Sequence, residues 1–335
     1  MSVSYVRYEL ENGYIHNWLV AGPQEMPVAD PGRFSGEDAK LRIAHDHFDK
    51  DSGIVEMPVE PGPLAKATFA VGDYKSTWSY VRCLHDHFLD LSAYYRSCRY
   101  LRAWAYAQLE LPTAQEVELT LTTNGPADVW LNEDHVHRHE HFCQYPRSVS
   151  FEAPFVKGRN EILVRFENVA LRDCSYSMAL HLELAEADGE ATVLLPTAIE
   201  DVERRNALEC FFEAAYLEQS VYRRKEEIAV RWPDHLQGNL ANMTTRLQTP
   251  SGRIYIEAPI DTIEANRNLG PAYRFPENKY NLILMPETEE YYRKNIRIRR
   301  KLDLWGLDNN DYSDKPYDTF QERRVEALLR AARCE

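Results

Sequence analysis

The hydrophobic pattern changes character along the chain. Residues 1–75 carry short apolar runs ("WLVAGP", "GIVEMPV", "ATFAVG") broken by Pro and Gly. They predict a loop-rich β segment packed on the module that follows. From about residue 76 the alternation sharpens. "EVELTLTT" (116–123) places Val117, Leu119 and Leu121 on one side, because successive strand side chains point to opposite faces. "STWSYVRC", "ADVWLN", "SVSFEAP", "EILVRFENV" and "YSMALHLELA" also read as strands, with the turn sequences "TNGPAD" and "KGRN" between them. "LRAWAYAQLEL" (101–111) differs, with apolar or aromatic residues on both faces. Short strands at this even spacing predict an antiparallel β-sandwich or jelly roll over 76–186.

Beyond "TVLLPTAI" the period lengthens. Val202, Leu208, Phe211, Phe212 and Ala215 recur near helical spacing, predicting a helix near 201–216. "IAVRWP", "MTTRLQTP", "RIYIEAP" and "YNLILMP" then return to strands, so 187–317 reads as a second, smaller β-sandwich. In "TFQERRVEALLRAARCE" (319–335), Val325, Leu328 and Leu329 share a helical face. The segment 318–335 is therefore expected to be a helix, and its abrupt stop suggests a linker to a further domain. The expected fold class is mainly β: two antiparallel β-sandwich modules of jelly-roll or immunoglobulin-like type, with a few helices including one at the C-terminus.

Charge narrows the partners. A net charge of −14 opposes binding to nucleic acid or an anionic membrane surface. No apolar run approaches the ~20 residues of a membrane-spanning helix. The opening "MSVSYVRYELENGYIHNW" lacks a basic start followed by an apolar core. Six cysteines without a CxxC pair read as reduced thiols, and the expected location is cytoplasmic. Twenty tyrosines against fourteen glycines suit packed β structure better than a glycine-rich nucleotide fold. GxGxxG, GxxxxGK[ST], HExxH and GxSxG are all missing, so no nucleotide or other organic cofactor is expected.

Histidine is the residue type that invites chemistry. "HDHF" occurs at 45–48 and again at 85–88, and "HVHRHEHF" spans 135–142; with His16 these runs hold nine of the eleven histidines. On one strand, His135, His137, His139 and His141 would form a single ladder able to bind a divalent metal. Val136 and Phe142 would then claim the buried side, leaving the ladder on a solvated or ligand-facing edge, which is the favoured reading. A second constellation would join His45 and His47 to His85 and His87 in a cupin-like site, although the first pair sits in a polar stretch that reads as a turn. At 85–88 the run leads into "LDLSAYY", where Asp90 or Ser92 could cap a helical turn. Glu133 and Asp134 in "WLNEDH" read as solvated turn acids rather than a glycosidase pair.

The stretch "TTNGPADVWLNEDHVHR", followed by "VSFEAPFVKGRNEILVRFENV" and "YSMALHLEL", resembles the galactose-binding-like jelly roll found as a sugar-binding domain in multidomain glycoside hydrolases. Trp130, Leu131 and Asn132 hold the first characteristic turn, and Gly158 and Asn160 the second; Glu133 stands where that family usually has Gly. The resemblance implies a non-catalytic β-sandwich region of a carbohydrate-active protein, with carbohydrate as partner and a downstream catalytic domain or a second copy as further partners. Candidate sugar contacts are Trp130, Asn132, Glu133, Trp104 and Tyr106, since sugar faces stack on aromatic rings flanked by hydrogen-bonding groups. Two other readings stand beside it: a metal-dependent enzyme using the histidine runs, and a structural assembly module.

Overall fold

The computed structural model describes residues 3–29, 39–47, 63–84, 86–143, 145–184, 191–223, 225–233, 236, 242–250, 252–260 and 266–300. In chain order the first elements are β1 (Val3–Glu9), β2 (Asn17–Pro27), α1 (Ala39–His47), β3 (Thr68–Val71), β4 (Tyr74–Thr77), β5 (Ser79–Arg82) and β6 (Leu89–Asp90). Then come β7 (Ala93–Leu111), β8 (Gln115–Thr123), β9 (Ala127–Leu131), β10 (Asp134–His139) and β11 (Arg147–Phe155). The long β12 (Gly158–Cys174), β13 (Ser177–Glu183), β14 (Thr192–Ala198) and α2 (Ile199–Ala214) follow. The remaining strands are β15 (Tyr216–Leu217), β16 (Val221–Tyr222), β17 (Glu227–Arg231), β18 (Met243–Gln248), β19 (Ile254–Ile260), β20 (Asn266–Pro271), β21 (Asn278–Pro286) and β22 (Lys294–Arg300).

Two sheets make the sandwich. The larger has eight strands in the order β1-β14-β7-β12-β9-β10, with β2 paired to β7 and to β5. The smaller runs β11-β8-β13-β6. β8 shows why one side faces inward: Val117, Leu119 and Leu121 are buried while Glu116 and Glu118 are exposed. β1 and β2, from the segment expected to be loop-rich, are full members of the large sheet, and β14 lies between β1 and β7.

Register explains the two-sided burial of β7. Trp104 pairs with Arg165, and Arg165 with Asp128, so these three share one face. Ala103, Ala105 and Ala107 lie on the other, with Phe166, Val164 and Ile162. The face bearing Trp104 is covered in its turn. Phe69 on β3 and Tyr74 on β4 place their rings 4.7 and 6.1 Å from Trp104. Ile43 and Ala44 of α1 pack with Tyr100, Cys98, Val169 and Val28. The central strand is thus a core strand on both sides, as a near-continuous apolar run requires.

Two local expectations are corrected. The stretch holding His45 and His47 is helical and not a turn, because burying Ile43 and Ala44 against the sheet fixes it as a helix. The segment after residue 88 forms the short strand β6, and Asp90 Oδ1 accepts a hydrogen bond from Ser92 N at 2.9 Å as a local turn instead of a helix cap. The helix expected near 201–216 is α2, which buries Leu208, Phe211 and Phe212. The C-terminal helix expected over 318–335 lies outside the described residues, as does His85. None of the helices among the described residues is long and apolar enough to cross a membrane.

By backbone proximity the chain forms two compact units. One comprises the described residues of Met1–Glu213, Asn242–Thr244 and Leu284–Asn295; the other comprises those of Ala214–Ala241, Thr245–Ile283 and Ile296–Glu335. Outside the sandwich, sheets run β15-β17-β20 and β16-β22-β21-β18-β19.

Candidate functional site

The two turns singled out in the sequence meet. Asn132 (φ 49°) and Glu133 (φ 74°) are both left-handed and join β9 to β10 across the paired residues Leu131 and Asp134. Positive φ at both central positions is the type I′ hairpin geometry. Glu133 adopts it without the glycine that usually relieves the strain, at a cost of about 1 kcal/mol. Gly158 (φ 94°) opens the second turn. Asn132 Nδ2 donates to Asn160 Oδ1 at 3.0 Å, and Glu161 N donates to Asn132 Oδ1 at 2.8 Å. Asn160 is fully buried; its amide also accepts from Val156 N and donates to the Val156 and Gly158 carbonyls. Every polar atom of that side chain is used, which makes the corner rigid.

The candidate aromatic contacts sit apart from solvent. Trp104 and Tyr106 are each 0% exposed and Trp130 is 7% exposed. Trp104 lies under Phe69 and Tyr74, and Tyr106 lies beside Trp78, 6.2 Å between rings. Neither ring offers a face for a sugar to stack on, contrary to the expectation, because the sheet face that carries them is covered. Trp130 points away from Val129 and Leu131, as expected, but onto that same covered face. The Arg165 guanidinium lies 5.5 Å from its ring centre, and His135 meets it edge-on at 5.2 Å. Glu133 and Asp134 are exposed.

A charged row crosses this face, which sequence reasoning missed. Arg102 Nε donates to Glu167 at 2.7 Å, Tyr100 Oη donates to Glu167 at 2.5 Å, and Arg165 donates to Asp128 at 2.6 Å. Arg138 and His135 on β10 bind Asp128 at 2.8 and 3.0 Å. Burial pushes the Asp128 pKa up, yet Arg165 and Arg138 more than reverse this and hold it below the ordinary range. The signal was a charged residue inside otherwise apolar strands: Asp in "ADVWL", Arg and Glu in "LVRFENV".

The histidine run does not form one ladder. Pairing with β9 slips between His135 and His137, a β-bulge at Val136. His135 therefore shares the face of Trp130 and Asp128, whereas His137 and His139 turn toward the second sheet. His137 stacks on Phe151 at 4.1 Å, and His139 stacks on His141 at 4.3 Å. The Thr123 hydroxyl donates to the Gly125 carbonyl at 2.7 Å, so its oxygen accepts from His139 Nε2 at 2.9 Å. His139 Nδ1 is then left to accept from His137 Nε2, 3.3 Å away. Burial, with His141 and His137 nearby, lowers the His139 pKa to about 4. Burial likewise lowers those of His137 and His141. His45 and His47 lie on α1, where His47 stacks on Tyr100 at 4.8 Å.

A different group does converge. Glu11, His16 and His87 each bring one ligand atom within 4.8 Å of the others, which no other set of three His, Cys, Asp or Glu does among the described residues. Glu11 is set by a two-residue hairpin: Asn12 (φ 52°) and Gly13 (φ 80°) turn the chain, and Glu11 and Tyr14 exchange backbone hydrogen bonds. The "ENGY" stretch carried that signal, since Asn-Gly is the preferred type I′ pair. His16 precedes β2 and its carbonyl accepts from Cys83 N at 2.8 Å. His87 (φ 63°) donates its backbone N–H to Leu84 O at 2.8 Å and stacks on Tyr14 at 4.5 Å.

No protein-family model and no curated protein matches the chain. Similar solved structures include a β-glucosidase from Kluyveromyces marxianus in complex with glucose, at 15% identity and TM-score 0.21, covering 33% of this chain and 13% of that one. A family 35 carbohydrate-binding module from an environmental isolate aligns at 10% identity and TM-score 0.20, over 53% of this chain and 92% of the module. A β-glucuronidase from Ruminococcus gnavus aligns at 11% identity and TM-score 0.22, covering 89% of this chain and 46% of the enzyme. This chain therefore spans a minor part of each enzyme's length, and likenesses this slight carry no argument about activity. What the fold itself defines is the class: an antiparallel β-sandwich protein.

Proposed function

We propose that this chain is a carbohydrate-associated β-sandwich protein, either a glycan-binding module or the accessory region of a glycoside hydrolase, with catalysis located elsewhere. The observation that carries the reading is the hydrogen bond between Asn132 and Asn160. The two turns that resemble the sugar-binding jelly roll lie 28 residues apart in sequence, and that bond joins them in one corner, which supports the reading. Around this corner Glu133 is exposed and His135 is partly so, and hydroxyl-rich ligands are held by such polar groups. Trp104 and Tyr106 drop out as contacts, and Trp130 serves as the floor under His135.

The test is binding of an oligosaccharide panel to the full chain, with Glu133→Ala and His135→Ala as variants. Both side chains reach solvent, so the fold survives their removal. Binding by the wild type that falls about tenfold in either variant is the expected result. Silence across the panel together with a stable oligomer would contradict the reading and favour an assembly module.

A further inference from the structure

We propose that Glu11, His16 and His87 form a binding site for one divalent transition-metal ion of the zinc class, independent of sugar recognition. Their ligand atoms already lie within 4.8 Å of one another. Ligands about 2 Å from a tetrahedral ion sit about 3.3 Å apart, a spacing that small side-chain rotations reach. Two imidazoles and one carboxylate suit zinc, cobalt or iron, whereas calcium and magnesium take oxygen donors.

The second and independent observation is His16 itself. It is 2% exposed, and neither of its ring nitrogens makes a hydrogen bond. Buried polar groups without partners are rare because each costs about 1–3 kcal/mol. The His16 Nδ1 lone pair or proton faces Glu11 Oε2 at 3.5 Å, beyond hydrogen-bonding reach. His87 Nδ1 is also buried without a hydrogen bond. One ion would give each ring a partner at one nitrogen.

The Arg82 guanidinium lies near the His16 ring. Arg82 is itself paired with Glu209 at 3.0 Å, which moderates its repulsion of a cation. The aromatic wall of Tyr14, stacked on His87 and edge-on to His181 at 4.9 Å, orients the His87 ring. Three protein ligands leave a coordination position for water or an exogenous group.

The decisive experiment uses the full chain without a histidine tag, stripped of metal and titrated with Zn²⁺, and with Co²⁺ for its visible spectrum. One equivalent bound is the expected result, with affinity falling about 100-fold in His16→Ala and in His87→Ala. Glu11→Gln removes only a half-exposed charge and preserves the fold; it should weaken binding about tenfold and shift the Co²⁺ bands. If the buried His16 variant fails to fold, Glu11→Gln and His87→Ala decide. Failure of the wild type to take up one equivalent overturns the proposal. So does unchanged uptake in both of those variants, or loss of uptake in His137→Ala/His139→Ala.

Discussion

Two histidine groups in this protein differ in how they were announced and in how they are built. Residues 135–141 are conspicuous in the sequence, with every second residue a histidine. In the fold the nitrogens of His135, His137 and His139 bond to one another, to Thr123 and to Asp128, while His141 stacks on His139 with its Nε2 buried and without a hydrogen bond. Glu11 and His16 flank one hairpin and His87 comes from a distant segment, and they converge with both His16 nitrogens and His87 Nδ1 making no hydrogen bond. Metal chelation needs lone pairs aimed at one point, and density of histidine along a strand does not supply that. A strand spreads its side chains along a line and a bulge divides them between faces, whereas a hairpin and two loop ends can gather theirs.

The largest expected effect separates the two groups directly. His16→Ala should lower zinc affinity about 100-fold, roughly 2.7 kcal/mol, while His137→Ala should change it less than about twofold, both by calorimetric titration. A change at Gly13 should reach the same site indirectly. Its φ of +80° disfavours any side chain, and a Cβ there would lie 2.5 Å from His181 Nε2 and 2.9 Å from Leu182 O. Gly13→Ala should destabilise the chain by about 2 kcal/mol in urea unfolding and displace Glu11, weakening metal binding.

The histidine run should show itself through pH. Burial first, with neighbouring histidines and Arg147, lowers the pKa values of His137, His139 and His141. The unfolded chain therefore binds more protons than the folded one below the ordinary histidine pKa of about 6.5. Stability is complete above that pH and falls as pH drops toward the folded value of about 4 for His139. The slope is on the order of 1.4 kcal/mol per pH unit for each proton taken up. His139→Gln, measured by thermal unfolding between pH 7 and pH 4, should flatten that dependence.

Much of the sandwich was legible. Alternation in 116–123 matches β8 with its buried Val117, Leu119 and Leu121, and the helical spacing after residue 200 matches α2. The apolar run 101–111 announced a strand buried on both faces but not what covered it. Phe69, Tyr74 and α1 do so from positions distant in sequence, and for that reason Trp104 and Tyr106 looked available. The bulge at Val136 was illegible because one extra residue reverses a face without altering the pattern. Nothing in the sequence singled out His16 beyond its place in the histidine count, and its proposed role depends on a hairpin and a loop meeting it in space.

The smallest effect concerns the corner turn. Glu133→Gly should raise stability by about 1 kcal/mol by relieving the left-handed strain, leave metal uptake unchanged, and lose the glycan binding assigned to the carboxylate. A stabilised variant that keeps full glycan affinity would remove Glu133 from the proposed sugar site.

Anomalous diffraction at the zinc edge, from crystals of the tag-free protein grown with one equivalent of Zn²⁺, separates the two histidine groups most directly. A single peak bounded by Glu11, His16 and His87 is the predicted result. A peak among His135, His137, His139 and His141, or none bound by the chain, would contradict it.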